Sequence, residues 1–325
     1  MSRAVKLIIG IAGLALAVAI AVRGTQVRAS FVRGEELLRR SYDAESRYSY
    51  LGLRELEVVS GGKWVKASGY VVHQRPDQTR YEVQGPAQWA GLVTIDDGET
   101  SYTFSPRSQK WRGRTQPKPD LELALRNYQP RLTGSARRIG RPCWRVETTP
   151  RHSSGPSKLI WVDQQTGVAL AGEVRNSRGD PLSRWRLTKF HLLGRSAGDR
   201  LLFQPPSKAH VEWDVVGAVA LPFTPLQPTY LPRGYRYQQA RTYVQGGKRV
   251  LGLSYSDGMN SILINQRPDT GRRRQPRQWW TSSRFSQVLR RSIGGVRVTV
   301  MGDVPVGELN RIADSLTPKP LPPQR

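Results

Sequence analysis

The sequence predicts an α+β, β-rich protein in which an open half-barrel sheet carries helices on its concave side and is followed by a smaller α/β domain. Three observations lead there. From Tyr48 onward apolar residues recur with period two, in short runs broken by Gly, Asp and Asn, as antiparallel strands and tight turns require. Helical periodicity is confined to a few short stretches. Between Gln204 and Pro232 stand Pro205, Pro206, Pro222, Pro225, Pro228 and Pro232, a density that no ladder or helix tolerates, so the domain connection is placed at 207–230. The expected divisions are a leader over 1–29, the half-barrel over 30–206, that Pro-rich linker, a second domain over 231–317 and a loose Pro-rich tail over 318–325.

Size and composition agree with two folded units: 325 residues, 38% of them hydrophobic, can bury two cores. Charge is the unusual feature. Lys and Arg number 51 against 25 Asp and Glu, a net charge of +26. Such a surface attracts anionic lipid heads, acidic proteins and nucleic acid. Nucleic acid also needs a groove-reading module, and the sequence has no motif for one.

The leader sets the compartment. Arg3 and Lys6 precede Leu7–Val22, a run without polar or charged side chains. A charged start followed by an apolar run directs a chain into the secretory pathway. Small residues at Val27 and Ala29 permit cleavage before Ser30; with Ala4 and Val5 included, the segment is long enough to remain as a membrane anchor. Either outcome puts the rest outside the cytoplasm. No Cys follows the run, which excludes a lipid-modified N-terminus. Cys143 is the single cysteine, so no intramolecular disulfide forms, and its place in the Cys143–Val146 alternation suits a small buried side chain.

Along the chain, Gly34–Glu45 has a helical face of Leu37, Leu38, Ser41 and Tyr42. Val58–Val65 is a hairpin around Gly61-Gly62. Strands follow over Gly69–His73, Thr79–Val83, Ala90–Ile95 and Thr100–Phe104, with a turn at Asp96–Glu99. Asp120 caps a helix over Leu121–Tyr128 that Pro130 stops. The strands resume over Cys143–Thr148, Lys158–Val162, Val168–Arg175 and Leu182–Leu192. Beyond the prolines come Tyr235–Val244, Lys248–Tyr255, Ser261–Asn265 and Val296–Met301. Pro305 then opens a helix with Leu309, Ile312, Ala313 and Leu316 on one face.

Catalytic signatures are missing. His73, His152, His191 and His210 sit in no metalloprotease motif, and there is no nucleophile elbow, phosphate loop or dinucleotide fingerprint. His210, Glu212 and Asp214 alternate as metal ligands on a strand would, but so do polar residues on a solvent-facing strand. No cofactor and no metal are expected. Two groups of residues suit binding instead. Trp64, Tyr70, Tyr81, Trp89, Tyr102, Trp144 and Trp161 lie on or beside strands of the half-barrel. Core packing accounts for many of them, while a half-rolled sheet leaves a face too wide to fill, and the remainder would wall a hydrophobic cavity. Arg267–Arg291 holds eight arginines and a single acid, Asp269. Within it Arg272, Arg273, Arg274, Arg277, Trp279 and Trp280 form either a solvated loop or a surface for an acidic partner or lipid heads.

Several stretches resemble the MucB/RseB family of periplasmic regulators of the sigma-E type envelope-stress response. Leu231-Pro232-Arg233-Gly234-Tyr235, Leu253–Met259 and Val298–Pro305 resemble its C-terminal domain. Arg75-Pro76-Asp77, Ile95-Asp96-Asp97-Gly98 and Ile139–Val146 are similar to its LolA-like N-terminal domain. The resemblance implies a partly opened barrel joined to a small α/β domain, binding to the extracytoplasmic part of a membrane anti-sigma factor, release of that grip by lipid-like ligands, and no catalytic residues. A periplasmic lipid or lipoprotein carrier of the LolA type is the alternative. The long leader and the very basic Arg267–Arg291 stretch depart from the family pattern.

Overall fold

The computed structural model describes residues 33–60, 63–98, 100–115, 120–152, 155–194, 203, 213–214, 221–245, 248–271, 287–302 and 304–321. The leader lies outside them. Helix α1 covers 33–47. Next come β1 (Ser49–Ser60), β2 (Lys63–Gln74), β3 (Gln78–Gly85), β4 (Val93–Asp96), β5 (Thr100–Ser105) and β6 (Lys110–Thr115). Helix α2 (Leu121–Asn127) leads into β7 (Tyr128–Arg138), β8 (Arg141–Pro150), β9 (Ser157–Asp163), β10 (Ala169–Arg175) and β11 (Pro181–Leu193). All eleven strands form one antiparallel sheet, ordered β6-β5-β4-β3-β2-β1-β11-β10-β9-β8-β7. The two edge strands, β6 and β7, do not pair with each other, so the sheet is open, as expected.

The sheet must curl around α1. A Cβ on Gly34 would lie 2.7 Å from the backbone of Pro130 and Arg131 in β7, while the Glu45 carbonyl is 2.7 Å from Nε2 of His73 in β2. Six strand spacings separate β2 from β7, about 29 Å in a flat sheet. Gly34 and Glu45 are only about 16 Å apart along a helix. The helix reaches both strands because the sheet bends toward it.

The second sheet has six strands in the order β12-β14-β15-β16-β18-β17. They are β12 (Trp213–Asp214), β14 (Arg236–Gln245), β15 (Lys248–Ser256), β16 (Ser261–Pro268), β17 (Gln287–Ile293) and β18 (Val296–Gly302). Helix α3 (Val306–Asp314) covers one face, burying Leu309, Ile312 and Ala313 against Leu251, Leu253, Ile262, Ile264, Val298 and Val300. Each such aliphatic side chain contributes about 1.5–3 kcal/mol on burial. Strand β13 (Leu226–Pro228) pairs with β19 (Leu316–Pro318). The fully buried Gln266 side chain ties β13 down, bonding both the N–H and the carbonyl of Leu226 at 2.7 Å.

Some expectations change. Helix α2 ends at Asn127, before Pro130, and Pro130 lies within β7 opposite Thr148. An edge strand tolerates a residue without an N–H. Strand β17 runs through the stretch read as an arginine-rich loop. Strands β12 and β13 fall within 207–230. The tail is docked rather than loose at its start, because Lys319 N–H donates to the Pro225 carbonyl at 3.0 Å.

Candidate functional site

The large unit carries an apolar cluster that reaches α1 through Ala44. It contains Ala44, Val71, Cys143, Leu159, Trp161, Val168, Leu170, Ala171 and Leu187, with Tyr50, Tyr81, Trp185 and Phe190 packed on it. Alternation in β2 puts Val71 and His73 on the face that meets Glu45 of α1. His73 is buried between the Glu45 carbonyl and Thr79 Oγ1, 2.9 Å from Nδ1, with Tyr50 stacked on its ring. Polar groups interrupt the cluster. The guanidinium of Arg54 lies 4.3 Å over Trp185 and that of Arg138 lies 4.4 Å over Trp161. The buried Trp161 Nε1 and Tyr81 hydroxyl have no hydrogen-bond partner among the described residues. Both are donors, and buried polar groups are normally satisfied.

Of the aromatic residues expected to wall a cavity, Tyr81 and Trp161 belong to this cluster, although the strand registers set them on opposite faces of the sheet. Trp144 packs in a separate cluster with Leu37, Val146 and Val162. Trp64 and Tyr70 point the other way, 41% and 50% exposed, and Trp64 is covered by the Arg184 guanidinium at 5.0 Å. Trp89 is half-buried in the turn before β4, and Tyr102 is half-buried in β5 opposite Ile95. Tyr50, Trp185 and Phe190 belong to the cluster but were not singled out from the sequence. Arg272, Arg273, Arg274, Arg277, Trp279 and Trp280 lie outside the described residues, as do His210 and Glu212. Among the described residues no three of His, Cys, Asp and Glu converge on a metal-binding position.

A second site is where the two sheets meet. Asp120 caps α2 by accepting from Leu123 N–H at 2.8 Å, which presents the C-terminal end of the helix to the turn after β15. Asn127 Nδ2 donates to the carbonyls of Gly234 and Asp257 at 3.0 and 2.9 Å. The Tyr128 hydroxyl donates to Asp257 Oδ2 at 2.7 Å and accepts from Asn260 Nδ2. Asp257 Oδ1 accepts the backbone N–H groups of Met259 and Asn260. Lys158 Nζ donates to the Met259 carbonyl. Tyr128, Asp257 and Asn260 are all buried. Gly258 has φ +94°, and a Cβ there would lie 2.2 Å from Ala124 N, so only glycine permits this approach. Nearby, burial and the carboxylates of Glu45, Asp257 and Asp120 push the Tyr42 phenol up to about 12. The sequence signalled a turn at Ser256-Asp257-Gly258 but not its partner.

Beside this latch opens a cleft of about 380 Å³, bordered by His152 from the β8–β9 connection, by Tyr230, Arg233 and Tyr235, and by Glu308 and Arg311 of α3. Tyr230 hydroxyl donates to Glu308 Oε2 at 2.6 Å, and Arg311 lies 4.0 Å over the Tyr230 ring. Burial, reinforced by the bond to Glu308, raises the Tyr230 phenol above its ordinary value.

Fold and sites together define a two-part β-rich protein, a curled open sheet latched to a small α/β unit. The chain belongs to the MucB/RseB family: residues 91–206 match the MucB/RseB N-terminal domain and residues 224–317 the MucB/RseB C-terminal domain. The sigma factor AlgU regulatory protein MucB of Pseudomonas aeruginosa is 28% identical over 199 residues, 59% of this chain and 61% of the relative, so the match spans under two thirds of that protein. The fold is similar to the crystal structure of MucB, with TM-score 0.65 and 21% identity over 89% of this chain and 98% of that one. It is also similar to MucB crystallised in complex with MucA(peri), with TM-score 0.62 and 21% identity over 89% of this chain and all of that one.

Proposed function

We propose that this protein is a non-enzymatic extracytoplasmic regulator that binds the extracytoplasmic segment of a membrane anti-sigma factor and senses lipid-like or envelope-stress signals on the inner face of its large sheet. The observation that carries the reading is that one chain holds both MucB/RseB domains, and a protein of the same fold has been crystallised with MucA(peri). The geometry supports it. The face of β1 and β2 toward α1 has apolar walls around Arg54, whose guanidinium lies over Trp185, suited to an amphiphile with an acceptor group. The latch ties that face to the second sheet. A ligand shifts an equilibrium only by its differential affinity for two states, so signal and partner would have to favour different arrangements at the junction. The leader, cleaved or retained, would place the chain outside the cytoplasm. We retain Arg272–Arg274, Arg277, Trp279 and Trp280 as a candidate partner or lipid-head surface.

The test is a binding titration of the purified chain with the extracytoplasmic segment of the anti-sigma protein encoded beside it. A complex at micromolar concentration, weakened by an acyl-chain amphiphile, is expected. Absence of a complex both with and without amphiphile would remove the regulator reading. The apolar inner face also suits a lipid or lipoprotein carrier. Under that reading the amphiphile binds and the segment does not.

A further inference from the structure

The cleft beside the latch has a charge pattern that selects a ligand. Its two resident acids are already engaged: Asp257 by Tyr128, Asn260 and two backbone N–H groups, and Glu308 by Tyr230 and by Arg311 at 3.3 Å. Arg233 is exposed on the rim and has no carboxylate partner among the described residues. Arg311 spends one nitrogen on Glu308 and keeps its remaining N–H groups. The cleft therefore offers the Arg233 guanidinium and the open N–H groups of Arg311 beside two acids whose oxygens already hold donors. Arg233 and Arg311 offset Asp257 and Glu308, and a single carboxylate adds one negative charge to that set. A dianionic phosphate would lie against Asp257 and Glu308, and that repulsion disfavours it. Leu231, Pro232 and Pro305 supply apolar wall. About 380 Å³ accommodates one or two amino-acid side chains, not a folded domain.

We infer that this cleft binds a carboxylate-bearing peptide segment, with an Asp or Glu side chain held by Arg233 and Arg311 and a neighbouring apolar side chain on the Leu231–Pro232 wall. The inference rests on the partner-binding reading above and sharpens it, because the segment so held would be the partner's. Bidentate pairing of arginine with a carboxylate supplies both energy and direction. The occupant would also touch His152, which belongs to the large sheet, and α3, which belongs to the small one. Occupancy would thus bear on the junction itself.

The probe is acetyl-Leu-Glu-Leu-amide, with acetyl-Leu-Gln-Leu-amide and inorganic phosphate as comparisons, added to the full chain while backbone amide resonances of Gly155 and Tyr235 are followed by NMR. Saturable shifts with the Glu peptide alone are expected, and Arg233→Ala should weaken them roughly tenfold, the loss of one charge-assisted contact. Arg233→Lys should restore part of the affinity. Equal shifts from the Gln peptide, tighter binding of phosphate, or indifference to Arg233→Ala would each overturn the inference. A second arm measures the anti-sigma segment against the wild type and Arg233→Ala. Segment binding that ignores the substitution removes the partner from the cleft. A segment that fails to bind the wild type sinks the regulator reading, while the peptide arm still decides the cleft's chemistry.

Discussion

Asp163 closes the turn after β9 with no exposure to solvent, accepting from Arg141 Nε and a second guanidinium nitrogen at 3.0 and 2.9 Å and from Thr166 Oγ1 at 2.7 Å. Burial alone would raise its carboxyl; the Arg141 fork and the Thr166 bonds outweigh that and hold it below the ordinary value. A carboxylate depressed in the folded state stabilises fully above its unfolded value and loses that contribution as pH falls through the folded one. Asp163→Asn should therefore be less stable than the wild type at neutral pH, and the gap should narrow from about pH 4 downward. Urea midpoints at stepped pH measure this. Arg141→Ala, which strands a buried charge, should cost about 3 kcal/mol. Cys143 was legible as a buried side chain because it is small, unpaired and set among apolar residues of a strand. Trp64 and Tyr70 were not legible as outward-facing. Period two defines two faces but not which one the helix presses upon, and aromatic bulk in β2 sits with Lys66 on the outer one.

Among the elements, α2 was readable because Asp120 caps it and a short amphipathic run follows. Strands β6, β7 and β17 were not. Their sequences are crowded with Arg, Lys, Gly and Pro, and pairing with a neighbouring strand stabilises them rather than any alternation of their own. Strands β13 and β19 are three residues each and hold through Gln266, a contact 40 residues distant in sequence. The approach of α2 to the turn after β15 gives a sharp prediction. Gly258→Ala combines a strained φ with a Cβ inside the Ala124 backbone, so the turn must back away from α2. A melting temperature several degrees lower and faster amide exchange at Ala124 and Met259 are expected; unchanged exchange would mean the close approach is not maintained in solution.

For the molecule as a whole, proline density led to a connection being expected at 207–230, whereas the joint between the two sheets left no sign in the sequence. Tyr128 and Asp257 are 129 residues apart, and a polar pairing at that range leaves no periodic trace. Tyr128→Phe removes a hydrogen bond to a buried carboxylate, a loss of roughly 1.5–3 kcal/mol. Since Asp257 keeps its bonds to Met259 and Asn260, the small sheet should remain folded while its docking weakens. Calorimetry should show one transition for the wild type and two for the variant, and small-angle scattering should show a larger radius of gyration for the variant. One unchanged transition would argue that the halves are held by something other than this joint.

The pairing of β13 with β19 has a practical reading. Strand β13 and the last strand of the small α/β unit are hydrogen-bonded side by side, so the chain from β13 to β19 enters and leaves through a single doorway. A unit with adjacent ends can be spliced into the surface loop of an unrelated carrier without being stretched. Residues 224–321, inserted in that way, would give a host that displays Arg233, Tyr230 and α3 while lacking the large sheet.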